Sequence, residues 1–169
     1  MHQNDEWLDL VDAEDRVIGK RLRSDIYAEG SHNYRVINAF IVNAHGELWI
    51  PRRTAEKKIC PSCLDMSVGG HVESGEGYDD ALRRETMEEI SVDLTKVPYR
   101  LLGHLTPEKD GVYCFMQVYE IASDTAPAYN PIDFVGYEWI APRALLERIT
   151  NGEKAKDDLP VLVRHFYGG

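Results

Sequence analysis

Residues 69–92 read GGHVESGEGYDDALRRETMEEISV, and this stretch decides the fold. Gly69 and Gly70 let backbone approach backbone or a bound ligand closely. An acidic loop follows, and then a helix predicted to start near Gly77 or Tyr78. Asp79 and Asp80 lie in its first turn, where negative charge suits the helix dipole. Tyr78, Leu82, Thr86 and Ile90 recur every fourth residue and predict the stripe that faces the core. Glu85, Glu88 and Glu89 stand at i, i+3 and i+4 and share another face. Three carboxylates there repel one another. A divalent cation offsets that repulsion, and carboxylate oxygens suit Mg2+ or Mn2+. The plain alternative is a solvated acidic face. Arg84 comes eight positions after Glu76, within reach of it once the loop folds back.

Working outward, the upstream half reads as strands. Trp7–Val11 and Arg16–Lys20, joined by the turn Asp12-Ala-Glu-Asp15, predict a hairpin over about residues 7–21. Ser24–Glu29 is a short helical or irregular piece with Gly30 behind it. Arg35–Val42 (RVINAFIV) is strongly β and central, Asn43–Gly46 turns the chain, and Glu47–Pro51 returns antiparallel. The polar loop Thr54–Ser62 leads to a short strand over Leu64–Val68. Downstream, strands are predicted over Leu101–Thr106, Val112–Ile121 and Val135–Ile140. Pro142 opens a helix in its first turn, and a last helix covers about residues 159–168. Mixed strands with few helices give an α+β class. With no repeat or linker visible, residues 1–169 read as one domain.

Composition narrows the function. A chain of 169 residues with 43% hydrophobic content can bury one substantial core. A net charge of −10 argues against non-specific nucleic-acid binding. It leaves a nucleotide substrate open, because a bound metal locally reverses the sign of an acidic site. No apolar run approaches the ~18 residues of a membrane span. The acidic start MHQNDEWLDLVD carries no apolar signal segment. Three cysteines cannot all pair within one chain, which fits a reducing compartment, so a cytoplasmic location is expected. Cys60-Pro-Ser-Cys63 has the spacing of half a zinc knuckle or a redox pair, without a second such pair. Cys114 and His104 sit among apolar residues and read as core.

The stretch from Gly70 onward resembles the signature of the Nudix hydrolase superfamily. Gly70, Glu76, Arg84-Glu85, Glu88-Glu89 and Val92 match its spacing, while Thr86 stands where an aliphatic residue is usual and Ser91 where Gly is usual. The resemblance implies the Nudix fold, an α/β/α sandwich with a mixed β-sheet. It implies metal-dependent hydrolysis of a diphosphate joined to some other group, as in a nucleoside diphosphate derivative or a similar small molecule. Glu85, Glu88 and Glu89 would be catalytic and would hold Mg2+ (or Mn2+), with the Gly69 carbonyl completing the shell. Gly70, Glu76 and Arg84 would be structural, Arg84 clamping Glu76. Arg35, Arg52, Lys58 and His71 are the candidates for substrate phosphates, and Arg53 lies beside them. Glu85 or Glu88 is the first choice of general base, and Glu108 or Asp133 the second. A homodimer through the N-terminal hairpin is compatible with the resemblance, as is a monomer.

Residues 7–150 also resemble the isopentenyl-diphosphate isomerase-like branch of that superfamily. Type 1 isomerases place a cysteine where this chain has Gly69, a metal histidine at about Tyr34 and a catalytic glutamate near Gly111, with Glu108 and Asp110 close by. Only His71 matches one of their metal ligands, so isomerase chemistry is the weaker reading. A Nudix-fold binding module without catalysis is the rival of another class. It predicts a missing signature glutamate, and none is missing.

Overall fold

The chain opens with β1 (Trp7–Val11) and β2 (Val17–Leu22), an antiparallel hairpin; the computed structural model describes residues 5–168. Its turn is held by Asp12, whose Oδ1 accepts from the backbone N–H of Glu14 and Arg16 at 3.0 and 2.9 Å. α1 (Arg23–Glu29) ends on Gly30 at φ 66°, the left-handed exit that glycine adopts without steric cost. Then come β3 (Arg35–Val42), β4 (Leu48–Arg53), β5 (Val68–His71), α2 (Tyr78–Ile90), β6 (Tyr99–Leu105), α3 (Pro107–Asp110), β7 (Phe115–Ala122), β8 (Phe134–Ile140), α4 (Pro142–Thr150) and α5 (Asp158–Tyr167).

The main sheet runs β6-β7-β3-β4-β8, with β5 paired to β3 off that path. β3 and β7 are parallel and the other pairs antiparallel, so the sheet is mixed. Alternation along β3 builds both cores. Ile37, Ala39 and Ile41 face Ala81, Leu82 and Ile90 of α2. Val36, Phe40 and Val42 face the opposite layer, with Leu145 of α4 and Leu159, Leu162 and Val163 of α5. The molecule is therefore an α/β/α sandwich of the α+β class. Complete burial of side chains such as Phe40 and Leu48 contributes about 1.5–3 kcal/mol each.

The strand expected over 64–68 begins only at Val68. β3 and β4 pair only at Val42 and Leu48 because β5 inserts beside the first half of β3. Ser67 fills the gap from its side chain: its Oγ accepts from Ile41 N at 2.9 Å and donates to Trp49 O at 2.6 Å. Leu64 makes only isolated bridges, to Arg52 and Ala155. β7 begins at Phe115 rather than at 112, where its parallel ladder meets Arg35 at the start of β3. α3 was not foreseen; Pro107 opens it and the Thr106 hydroxyl accepts from Lys109 N. Among the described residues, no helix is long and apolar enough to cross a membrane.

Candidate active site

α2 carries the site because its sequence divides cleanly into faces. Ala81, Leu82, Thr86 and Ile90 are buried against the sheet, and Tyr78 packs beside them. At its start, Asp80 Oδ2 accepts from Gly77 N at 3.1 Å. At its end Ser91 adopts φ 54°, so the left-handed exit is made by a serine. Thr86 is fully buried and, among the described residues, its hydroxyl has no hydrogen-bond partner. That costs about 1–3 kcal/mol relative to a satisfied group. The flank between buried stripe and solvent presents Arg84, Glu85, Glu88 and Glu89.

Arg84 is the hub of that flank. Its Nε donates to Glu76 Oε2 at 3.0 Å, and its Nη2 donates to Glu76 Oε1 at 2.8 Å and to the His71 carbonyl at 3.0 Å. Its Nη1 donates to Glu85 Oε1 at 2.8 Å and lies 3.5 Å from Glu88 and 3.8 Å from Glu73. The bond to Glu76, ahead of all else, pushes the guanidinium's proton affinity up. Glu76 in turn accepts from Glu73 N at 2.9 Å, which ties the loop into a closed turn. Glu85 packs over Gly70 so closely that a Cβ there would lie 2.2 Å from its Cδ. A side chain at 70 would displace the carboxylate, which is the local reason for glycine.

Glu85 and Glu89 form the buried part of the acidic face. Burial raises the pKa of Glu85 against the opposition of Arg84. Burial, and then the carboxylates of Glu85, Asp65 and Asp133, hold Glu89 well above the usual carboxylate range. Asp65 is paired with Arg53 at 2.7 Å and Asp133 with Lys57 at 2.6 Å, so neither cation serves Glu89. Around Arg84 stand four carboxylates, Glu73, Glu76, Glu85 and Glu88, against one guanidinium. The excess of negative charge and the all-oxygen donor set fit a hard divalent cation. Among the described residues no three His, Cys, Asp or Glu side chains already converge as a metal cage. Mg2+ needs none, since it is usually held by one or two carboxylates and completed by water and substrate phosphate oxygens.

The phosphate candidates are scattered. Arg35 is committed to the hairpin: Nε donates to Asp15 Oδ1 at 2.7 Å, Nη2 donates to the Asp15 carbonyl at 2.5 Å, and the group lies over the Tyr78 ring. Arg52 donates to Glu153 and to the Ser62 carbonyl. Lys58 is exposed and, among the described residues, makes no ion pair. His71 is packed against Tyr27 and Tyr34, with Nε2 bonded to the Tyr27 hydroxyl. Burial lowers its pKa to about 4, with Arg23, Lys156 and Arg84 adding to the effect. Its ring is therefore neutral, and its 3.5 Å approach to Glu6 is a polar contact rather than an ion pair. Glu108 lies on α3 and joins no ion pair among the described residues. Asp65 escaped sequence reasoning altogether, because only the fold brings residue 65 to α2.

Cys60 and Cys63 are joined by a disulfide, which corrects the half-knuckle reading: neither is a free thiolate for zinc. Only Cys114 is free, and burial pushes its thiol pKa up, leaving it inert. The odd cysteine count thus said nothing about the other two. Gly69 has Asn38 Oδ1 only 2.9 Å from where a Cβ would stand, so the isomerase cysteine has no room without displacing that side chain. Tyr34, where the isomerases place a histidine, is buried at 1% exposure.

Comparison with known proteins finds relatives over nearly the whole chain. The NUDIX domain family matches residues 32–161. An uncharacterized Nudix hydrolase of Nostoc sp. is 54% identical over 167 residues, covering 99% of each protein. A crystal structure of a Deinococcus radiodurans protein superposes with a TM-score of 0.91 at 46% identity, covering 96% of this chain and 99% of that one. At 26% identity over 169 residues, an isopentenyl-diphosphate Delta-isomerase of Photorhabdus laumondii also matches, with 93% of this chain and 95% of that protein covered.

Proposed function

The chain belongs to the Nudix hydrolase family, and from that we infer a divalent-metal-dependent hydrolase that cleaves the diphosphate linkage of a small molecule, a nucleoside diphosphate derivative or a close analogue. The observation that carries this reading is Glu85 packed over Gly70 with the buried Glu89 carboxylate beside it, and Arg84 outnumbered by carboxylates. Glu85 and Glu89 would hold Mg2+ (or Mn2+), with Glu88 and the Gly69 carbonyl adding donors. Such an ion, when bound, neutralises phosphoryl charge and makes a water a better nucleophile at neutral pH. The chain's own residues do the rest. Glu88, with its side chain 60% exposed, receives the proton of the attacking water. Arg84 positions Glu85 and closes the loop through Glu76, while Lys58 remains the phosphate ligand of the polar loop.

Isomerase chemistry loses support because Gly69 and Tyr34 replace two groups it needs, and a pure binding module is disfavoured by the intact glutamates. The test is product formation with Mg2+, read as new phosphate monoesters from nucleotide sugars and dinucleotides, and as released phosphate or pyrophosphate from nucleoside diphosphates, nucleoside triphosphates and prenyl diphosphates. Wild type is expected to turn over at least one class, and Glu89→Gln to lose about 100-fold or more, the scale of a lost charge at a reacting centre. Absence of turnover by wild type across the panel would remove the hydrolase reading.

A further inference from the structure

The loop that carries Glu73 and Glu76 is braced from outside by the N-terminal hairpin. That hairpin, residues 7–22, lies outside the stretch matched by the family, 32–161. Ser74 N donates to the Trp7 carbonyl at 2.8 Å, and Leu8 bridges to Glu73. Asp9 reaches further in. Its Oδ1 accepts from Ser74 Oγ at 2.7 Å and its Oδ2 from Gly75 N at 3.1 Å. Gly75 has φ 87°, so the peptide donating to Asp9 belongs to a turn that favours glycine. At the far end of the loop, Asp15 Oδ2 accepts from the Tyr78 hydroxyl at 2.6 Å.

Asp9 is unusual. It is only 9% exposed, yet among the described residues it forms no ion pair, and both its bonds go to the loop. Burying a carboxylate without a cation is costly, and these two donors offset the cost only while the turn keeps its shape. The same turn sets Glu76, whose carboxylate receives two donors of Arg84, and Arg84 in turn holds Glu85. Hydrogen bonds joined through the backbone of residues 74–76 thus connect the hairpin to the acidic face.

We propose that Asp9 is a positioning residue of the active site, fixing through Ser74 and Gly75 the loop that orients Arg84, and so setting how tightly Glu85 and Glu89 bind a divalent cation. This rests on the metal-dependent reading given above. The test is a Mn2+ titration of the full chain without substrate, with free Mn2+ followed by its electron paramagnetic resonance signal. Asp9→Asn keeps the size of the side chain but turns an NH2 group toward a donor. It is expected to weaken Mn2+ binding about tenfold, the lower end of what loss of an outer partner of a metal ligand costs. Ser74→Ala should shift affinity the same way by less, and the double variant should fall short of the sum because the two residues share one bond.

Arg21→Ala, which breaks an exposed hairpin pair with Glu29, should leave Mn2+ affinity unchanged. In turnover assays the Asp9→Asn variant should need more Mg2+ for half-activation while keeping its kcat at saturating Mg2+. Wild-type Mn2+ affinity in Asp9→Asn, or in Ser74→Ala should the first variant not fold, overturns the positioning role alone. A wild-type chain that binds no Mn2+ overturns the metal reading beneath it.

Discussion

Burial first, and then the carboxylates of Glu85, Asp65 and Asp133, keep a proton on Glu89 to higher pH than an ordinary glutamate would hold it. The linkage has a definite sign. A carboxyl whose folded pKa is raised stabilises the fold fully below its unfolded value, and that contribution is lost as pH rises through the folded pKa. At pH 8 without added metal, Glu89→Gln should therefore melt higher than wild type, by about 2–4 °C if the relief is about 1 kcal/mol. The difference should shrink toward pH 4, and hydrolysis should be lost throughout. A variant that melts below wild type at every pH would contradict this account. Much of the site at this scale was legible: Glu85, Glu88 and Glu89 are tied by helical spacing, and Glu76 to Arg84 by a short loop. Asp65 acts on Glu89 from a distant part of the chain, and nothing in its local sequence signals it; Asp133, a second-choice base by resemblance, raises the Glu89 pKa through its charge. His71 could be located from the sequence, but its neutral state depends on burial against Tyr27 and Tyr34.

Among the elements, α2 was the most legible, because its buried stripe recurs every fourth residue and acidic residues fill its first turn. Its exit is the exception. Ser91 sits at φ 54°, a conformation costing a side-chain-bearing residue roughly 1–2 kcal/mol, which glycine avoids at some cost in unfolded-chain entropy. Ser91→Gly should raise stability by about 1 kcal/mol in chemical denaturation with the m-value unchanged. A neutral or destabilising result would mean that the serine is held there by something more than the turn. β5 starts later than the sequence predicts because the alternation of Leu64, Met66 and Val68 with polar residues cannot reveal that a serine hydroxyl, Ser67, replaces ladder bonds between two splayed strands. α3 is four residues long, too short to show a period.

For the molecule as a whole, the two-faced alternation of β3 fixes which layer each helix joins. α2 covers the face beneath the acidic site, while α4 and α5 close the other. A net charge of −10, part of it concentrated where one arginine meets four glutamates, is a standing demand for a cation. The hairpin, outside residues 32–161 that the family matches, braces the loop ahead of α2. The most direct measurement is anomalous diffraction at the manganese edge from crystals soaked in Mn2+, wild type beside Glu89→Gln. The account predicts an anomalous peak at direct-ligand distance from the Glu85 and Glu89 carboxylates, lost or much weakened in the variant. No peak under saturating Mn2+, or one lying only away from α2, would contradict it.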